Sequence, residues 1–329
     1  MEHYTLYHGE IPAVLAACAN TPCMQRLRNV GMNCGCEYTS FPRFAGLQPY
    51  SRFDHSLGAA LIVWRFTHDE KQAVAGLLHD VATPVFAHVV DFLKGDYLVQ
   101  ESTEDGTRAV IERDAALQRA LSVYGVETGD VADYHRYPIA DNDSPKLSAD
   151  RLEYTFGNLV NYRIRMPEAV SRILADLSVG TNEDGAPELV FSDAAIAEDF
   201  ALASLACSRI YVSDEDRYAM QMLSELLHFA LDRGVLSEAD LHTTEPAVIE
   251  KLLGNAETAV RWNGYCAMHA IRRAAVPQDG GAWRKIAAKK RRIDPLIRDV
   301  GRVSAYSERF RKEINAFLAD PQADWIAAE

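Results

Sequence analysis

Apolar residues in two neighbouring stretches of the sequence recur with the spacing of an amphipathic helix. Each stretch places four apolar residues at positions i, i+3, i+4 and i+7, so that they share one face of a helix. The two sets are Leu57, Ala60, Leu61 and Trp64, and Val74, Leu77, Leu78 and Val81. We therefore expect two consecutive helices that pack together through these faces.

Helical patterns continue along most of the chain, whereas strand signals are few. Further patterns run from Arg151 past Tyr154, from Pro167 to Leu177, from Ala194 to Ile210 and through Met220 to Leu231. Gly234 then supplies a natural helix stop. The best strand candidate is Glu188 to Phe191, which lies between turn residues. The sequence predicts an all-α fold with at most a small β-hairpin.

Two segments interrupt the helical pattern. Residues 128–148 are rich in Asp, Tyr, Pro and His and predict a long loop, a kind of segment that often carries function. Residues 277–281 (PQDGG) mark a later break, after which we expect a basic helix containing Lys285 and the run 289–292 (KKRR). Such a run is usually a solvated helix face, and the alternative is a contact for an anion or nucleotide at a subunit interface.

Composition excludes several classes of partner. The 329 residues include 34 Lys and Arg against 47 Asp and Glu, a formal charge of −13, so nucleic acid is an unfavourable primary partner. No apolar run approaches the ~20 residues that span a bilayer. The first residues lack a basic segment followed by an apolar one, so we expect no secretory signal and a cytoplasmic protein. The six cysteines form no paired CxxC zinc motif, and we interpret them as reduced thiols.

Four residues are candidates for a metal centre: His55, the adjacent pair His79 and Asp80, and Asp150. Imidazole nitrogen and carboxylate oxygen form a mixed donor set that suits divalent ions such as Mn, Fe, Co, Ni or Mg. Ligands from two neighbouring helices and a third element can leave coordination positions open for water and a phosphate oxygen. Taken singly, each of these residues is more often an ordinary hydrogen-bonded side chain.

The sequence around these residues resembles the HD-domain metal-dependent phosphohydrolases, in the branch that contains the deoxynucleoside triphosphate triphosphohydrolases. Four segments carry the resemblance in one order: 52–58 (RFDHSLG), 77–80 (LLHD), 84–88 (PVFAH) with Asp91, and 148–154 (SADRLEY). The resemblance runs from about residue 25 to residue 234. It implies an HD-domain helical bundle over residues 1–235, with residues 236–329 as a C-terminal helical extension packed on it.

The resemblance also implies a role for each motif residue. It makes His55, His79, Asp80 and Asp150 the ligands of a divalent metal ion. It places Arg52, Arg151 and Tyr154 against the phosphates and sugar of a substrate, and guanidinium groups recognise phosphate bidentately. The implied activity is hydrolysis of a nucleotide or a related small phosphorylated metabolite, in which a metal-activated water attacks phosphorus. We further expect a homo-oligomer.

The resemblance implies that His88 transfers a proton and that Asp91, three residues later, orients its imidazole. Asp80 is the third residue of the implied catalytic set. Three positions depart from the family. Thr83 stands where the triphosphohydrolases usually carry another His, the region of Thr103 lacks a further His, and Asn158 replaces an Asp. Thr83 and Pro84 instead suit the start of a helix. These departures predict a poor triphosphohydrolase.

Two alternatives to hydrolysis remain. A diiron oxygenase on the same scaffold would need additional histidines, and the departures at Thr83 and Thr103 count against it. A nucleotide-binding sensor with reduced catalysis would keep the metal and the pocket but would have lost the histidines that transfer protons. The other histidines are interpreted as structural or surface residues, with His135 the least certain because its loop precedes Asp150 and could lean over the pocket.

Overall fold

The computed structural model describes residues 7, 9–90, 106–322 and 324–329. Over these residues the chain forms fifteen α-helices and six short strands, so the predicted all-α class is confirmed. The helices up to residue 161 are α1 (Ala13–Ala19), α2 (Pro22–Arg26), α3 (Arg52–Thr67), α4 (Glu70–Leu78), α5 (Thr107–Arg113), α6 (Ala115–Val123), α7 (Thr128–Val131) and α8 (Ala149–Asn161). The later helices are α9 (Pro167–Asp176), α10 (Ala194–Tyr211), α11 (Asp214–Asp232), α12 (Glu245–Leu253), α13 (Ala256–Ala267), α14 (Val303–Tyr306) and α15 (Glu308–Ala319).

Helices α3 and α4 pack against each other as the apolar spacing predicts, and α8 packs on α3. Helix α3 begins with a capping box, in which the Ser51 hydroxyl accepts from the Asp54 amide and the Asp54 carboxylate accepts from the Ser51 amide. Gly76 of α4 lies against α3, where a Cβ would be in ordinary van der Waals contact with the Ala60 Cα at 3.6 Å. The close packing of these helices fixes the relative positions of the residues at their ends.

The strands form two small sheets rather than one hairpin. Strands β1 (Leu177–Thr181) and β2 (Pro187–Phe191) make the predicted hairpin, with Leu177 opposite Phe191. The C-terminal part of the chain extends this sheet with β4 (Leu296–Ile297), parallel to β2, and β5 (Gly301–Arg302). A second sheet pairs β3 (Ile271–Ala274) with β6 (Trp325–Ala328). The chain beyond residue 236 is therefore less purely helical than we expect from its sequence.

The predicted basic helix after residues 277–281 is wrong, because residues 285–295 have no regular secondary structure. Their backbone bonds to distant parts of the chain: the Arg292 carbonyl accepts from the Ser144 hydroxyl at 3.2 Å, and the Asp294 amide donates to the Pro145 carbonyl at 2.9 Å. Four adjacent cations also repel one another along a helix. Tertiary hydrogen bonds thus replace a helix that the local pattern favours only weakly.

The predicted helix start at Thr83 and Pro84 is also wrong. Residues 85–88 form a turn in which Phe86 and Ala87 take positive φ angles of 57° and 44°. The Thr83 hydroxyl donates to Asp80 Oδ1 at 2.8 Å instead of capping a helix. Thr83 therefore holds a carboxylate of the candidate metal centre. This hydrogen bond takes the place of the helix cap that Thr83 favours in isolation.

Two hydrophobic clusters form the core. One gathers residues of α1 to α10 with the C-terminal helices α14 and α15. The other lies between residues 34–44, residues 85–89 and helices α11 to α13. The division of the chain at residue 235 stays a prediction. None of the described helices combines the length and the apolar character needed to cross a membrane.

Candidate metal centre and its cavity

The structure brings the four predicted metal ligands together. His55 lies in the first turn of α3, His79 and Asp80 follow the last residue of α4, and Asp150 lies in the first turn of α8. His55 Nε2 is 3.1 Å from His79 Nε2 and 3.0 Å from Asp150 Oδ1, and Asp80 Oδ2 is 3.5 Å from His79 Nε2. The two histidines and Asp80 are each at most 5% exposed. The helix packing thus brings ligand atoms of His55, His79 and Asp80 within 4.8 Å of one another, with Asp150 Oδ1 beside the two imidazoles.

The orientation of the two imidazoles fits a divalent cation. His55 Nδ1 lies 2.5 Å from Glu153 Oε2, and His79 Nδ1 lies 2.7 Å from the Gly76 carbonyl oxygen. Both partners are acceptors, so each neutral ring carries its hydrogen on Nδ1 and directs its Nε2 lone pair at the other. Two lone pairs 3.1 Å apart repel unless a metal ion or a proton lies between them, and the acidic surroundings of His55 favour either cation. Acceptors behind the rings are a common feature of histidine metal sites.

Charge interactions keep the two aspartates ionised. Burial alone would raise the pKa of Asp80, but the Arg52 guanidinium, 2.8 Å away, lowers it well below the usual range. The pKa of Asp150 is likewise lowered, since its contact with His55 outweighs burial. Burial lowers the pKa of His55, yet the bonds to Asp150 and Glu153 outweigh it and raise this pKa to about 10. The cluster attracts positive charge, as a cation site requires.

Glu153 is a residue of this site that the sequence interpretation missed. Its fully buried carboxylate accepts from the hydroxyl groups of Tyr7 at 3.1 Å and Tyr50 at 2.5 Å, in addition to His55. Gly58 leaves room for it, because a Cβ there would lie 2.6 Å from Glu153 Oε1. The available signal was its position three residues after Asp150, which places both carboxylates on one side of a helix.

The cluster lies in a cavity of about 600 Å³. Of the predicted site residues other than the metal ligands, the structure places four on the cavity wall: Arg52, Arg151, Tyr154 and His88. Asp91 and Thr103 lie outside the described residues. Asn158 also lines the cavity, and its side-chain amide donates to the Tyr211 hydroxyl at 2.8 Å. The cavity therefore combines histidines, cations and tyrosines around the metal ligands.

The two arginines that we expect to hold phosphate also bind protein groups. Arg52 pairs with Asp80, as described above. Arg151 binds the loop before α8, with its guanidinium 3.2 Å from Asp141 Oδ1 and 2.5 Å from Asn142 Oδ1. The pKa of Tyr154 is raised to about 12 by burial, so its hydroxyl stays protonated at neutral pH. Substrate roles for these three residues stay predictions.

Two histidines on the cavity wall have polar partners in the structure. His88 Nε2 lies 3.2 Å from Arg291 Nη2, which brings the basic run to the cavity. The expectation of a solvated helix face for residues 289–292 is thus wrong. His135 Nδ1 lies 2.8 Å from Asp141 Oδ2, and the His135 side chain is 55% exposed. The loop of His135 does reach the cavity, although a structural or surface role was the favoured interpretation.

The chain is similar to two curated proteins. It is 26% identical over 209 residues to the uncharacterized protein YdhJ of Bacillus subtilis, and the match covers 61% of each chain. It is 24% identical over 269 residues to the metal-dependent phosphohydrolase cns2 of Cordyceps militaris, over 77% of this chain and 73% of that protein. The chain thus spans about three fifths of the length of the first of these relatives. No protein-family model matches it.

The fold is similar to that of a phosphohydrolase from Bacteroides thetaiotaomicron, with a TM-score of 0.65 and 16% identity over 97% of this chain and 96% of that one. A likeness at this identity concerns the fold. Together with the metal-dependent relative, it supports the predicted resemblance to HD phosphohydrolases. The deoxynucleoside triphosphate branch stays a prediction.

Proposed function

We propose that the protein is a metal-dependent phosphohydrolase that acts on a nucleotide or a related small phosphorylated metabolite. One observation carries the proposal: two buried imidazoles bring their Nε2 atoms within 3.1 Å of each other beside two ionised aspartates, in a cavity large enough for a nucleotide. The names of the metal-dependent relative in Cordyceps militaris and of the structural neighbour support the same reaction class.

His55, His79, Asp80 and Asp150 would hold the ion. When bound, a divalent ion supplies Lewis-acid chemistry and a source of hydroxide near neutral pH. Glu153 and the Gly76 carbonyl keep both imidazoles in the tautomer that presents Nε2. Arg52 keeps Asp80 ionised and lies where its charge can also stabilise phosphoryl oxygens. The nature of the metal, among Mn, Fe, Co, Ni and Mg, is left to experiment.

Two histidines can transfer a proton to the leaving oxygen. His88 with Asp91 is the pair implied by the family resemblance. His135 with Asp141 is a second pair, in which the carboxylate accepts from Nδ1 and fixes the tautomer. Both imidazoles line the same cavity.

A substrate screen tests the proposal. Purified protein is incubated with Mn, Mg, Fe or Ni and with nucleotides and other phosphorylated compounds, and release of phosphate, pyrophosphate and triphosphate is measured. We expect hydrolysis that disappears on chelation and in His79→Ala. Because Thr83 replaces an imidazole, release of triphosphate from dGTP or dATP should be slow, and fast release would contradict that expectation.

The same screen distinguishes the alternatives. Nucleotide binding without turnover would indicate a sensor. Metal-dependent oxygen consumption without phosphate release would indicate an oxygenase. Either result would replace the proposed function, because a phosphohydrolase must release phosphate, pyrophosphate or triphosphate from a substrate.

A further inference from the structure

Residues 84–88 form a strained turn between the metal ligands at the end of α4 and His88 on the cavity wall. Phe86 and Ala87 have φ angles of 57° and 44°, in a region that residues with a Cβ rarely adopt. A conformation of this kind persists only where the surrounding structure over-determines it, and it is common at functional sites. The groups that hold this turn therefore help to decide where His88 lies.

The carboxyl group of Glu245 holds the turn by a backbone amide. Glu245 is the first residue of α12, and its side chain is buried. Its Oε1 accepts from the Phe86 amide at 3.3 Å and from the Gly31 amide at 2.8 Å, and its Oε2 accepts from the Tyr38 hydroxyl at 2.8 Å. One side chain from the C-terminal part of the chain thus joins the turn to residues 31–38.

The ring of Phe86 is fixed by the same group of residues. It is fully buried, and its centroid lies 6.2 Å from the Tyr38 ring and 6.3 Å from the Trp262 ring. Tyr38 therefore packs against Phe86 and also bonds to Glu245 through its hydroxyl group. Because the amide and the ring of Phe86 are both constrained, this residue has little freedom to leave its positive φ angle.

A buried cation holds the segment that leads into the turn. Arg26 Nη2 donates to the Thr83 carbonyl at 2.7 Å, and Arg26 Nη1 donates to the Thr243 carbonyl at 3.2 Å. The Val85 amide donates directly to the Leu241 carbonyl at 2.8 Å. The chain just before α12 thus bonds to the segment between the metal ligands and His88, both directly and through Arg26.

The charged groups near Glu245 are compatible with this role. Burial raises the pKa of Glu245, but the three hydrogen bonds that it accepts and the charge of Arg52 oppose that rise. Burial and the charge of Glu245 raise the pKa of the neighbouring Glu37 to about 8, so Glu37 is mostly protonated at neutral pH. The hydrogen bonds therefore favour an ionised Glu245, which can accept at both oxygens.

We propose that Glu245 is a positioning residue for His88, whose carboxyl group holds the Phe86 amide and with it the turn that places the imidazole on the cavity wall. Arg26 supports the same turn at the carbonyl of Thr83. The inference rests on the proposed function for the reaction that His88 serves, but not for the position of His88. It gives the chain beyond residue 236 a part in building the site.

Histidine side-chain NMR tests the proposal without a substrate. The full-length protein is produced with isotope-labelled histidine and treated with a chelator, and the ring signals of His88 and His228 are assigned by their loss in His88→Gln and His228→Gln. Spectra are compared for Glu245→Ala, Glu245→Asp and Glu245→Gln. The matched control is Glu250→Ala, which removes an exposed carboxylate from the same helix. Circular dichroism verifies that each variant is folded.

We expect Glu245→Ala to displace the His88 signal by more than its linewidth, and Glu245→Asp, one methylene shorter, to displace it less. The signal of His228, an exposed residue of α11, should stay in place, whereas general destabilisation would move both. Glu245→Gln should keep the His88 signal near its wild-type position, because an amide oxygen can accept from both backbone amides. Glu250→Ala should leave it unchanged.

An unmoved His88 signal in folded Glu245→Ala, or in folded Glu245→Asp where the Ala variant does not fold, overturns the proposal. Equal displacement in Glu245→Ala and Glu245→Gln overturns it as well, because hydrogen bonds to the two amides would then not hold the turn. The position of His88 is measured without turnover. A protein that hydrolyses nothing in the substrate screen would therefore count against the proposed function alone.

Discussion

The cavity has two walls that are built in opposite ways. The wall of α3, α4 and α8 carries Asp80 and Asp150, whose pKa values are lowered by neighbouring cations, and its side chains form a network of paired charges. The opposite wall contains Asp216, whose pKa is raised by burial, and the irregular segment 288–292. We call the first the helical wall and the second the irregular wall.

This difference indicates that the two walls hold their side chains with different precision. A metal site needs donor atoms fixed within a few tenths of an ångström, which packed helices provide. The irregular segment has no regular secondary structure and is fixed by single hydrogen bonds, such as the one from the Ser144 hydroxyl to the Arg292 carbonyl. The wall of α3, α4 and α8 is therefore the one with the fixed geometry that the proposed metal centre needs.

The largest effect is expected at the helical wall. His79→Ala or Asp80→Ala should remove the bound divalent ion and reduce any phosphohydrolase activity to background, because too few donors remain. Metal content by mass spectrometry and the substrate screen measure this. His228→Ala, an exposed histidine on α11, is the matched control and should retain both metal and activity. Full metal content in both site variants would remove this pair from the metal centre.

The second effect separates the two proton donors. Loss of a general acid typically costs ~10²–10⁴-fold in rate, so His135→Gln should lower kcat by that factor if His135 donates the proton. His88→Gln should then lower kcat by a smaller factor, because the proton would come from His135. Steady-state kinetics with the substrate from the screen measure both. The reverse pattern would restore the proton-transfer role to His88.

The third effect concerns the support behind the metal ligands. Glu153→Gln keeps the shape of the side chain but replaces the carboxylate that orients His55, and outer hydrogen-bond partners of this kind typically contribute ~10–100-fold in metal affinity. Competition with a metal-binding dye measures the change. Tyr50→Phe, which removes one of the donors to Glu153, should weaken metal binding less. Unchanged affinity in Glu153→Gln would show that the histidine tautomer does not depend on this residue.

The helical wall could be predicted from the sequence because its signals are local. Apolar periodicity predicts α3 and α4. The resemblance of the segments around His55, His79, Asp80 and Asp150 to the HD phosphohydrolases implies one site before any distance is known. The hairpin is also found where the sequence places it. Glu153 was missed although it lies within the segment 148–154, because nothing in that segment shows that its carboxylate is buried, and its partner Tyr7 is 146 residues away.

The irregular wall could not be predicted in the same way. The run 289–292 has the composition of an exposed helix face, and only contacts with residues 144–145 and 318 show where it lies. The partnership of His135 with Asp141 lies within one loop, yet nothing in the loop's sequence shows that it turns toward the cavity. Both features depend on tertiary contacts between segments far apart in sequence, which residue patterns do not encode.

The smallest effect is expected at Asp216, on the irregular wall, and depends on pH. Burial raises the pKa of this carboxyl group to about 8, whereas Asp in an unfolded chain titrates near 4. Between about pH 4 and pH 8 the folded protein therefore binds a proton that the unfolded chain has lost, and stability falls as pH rises through this window.

Asp216→Asn cannot ionise and should escape that loss. Its Tm should match the wild type at pH 4 and exceed it by about 2–4 °C at pH 8, a range that corresponds to roughly 1 kcal/mol in a chain of this size. Thermal unfolding at several pH values measures the difference. Asp54→Asn, in the capping box of α3, is a useful contrast, since replacing the capping carboxylate by an amide should lower Tm. A Tm difference for Asp216→Asn that is the same at pH 4 and pH 8 would mean that Asp216 is ionised in the folded protein, and the irregular wall would then carry less net positive charge.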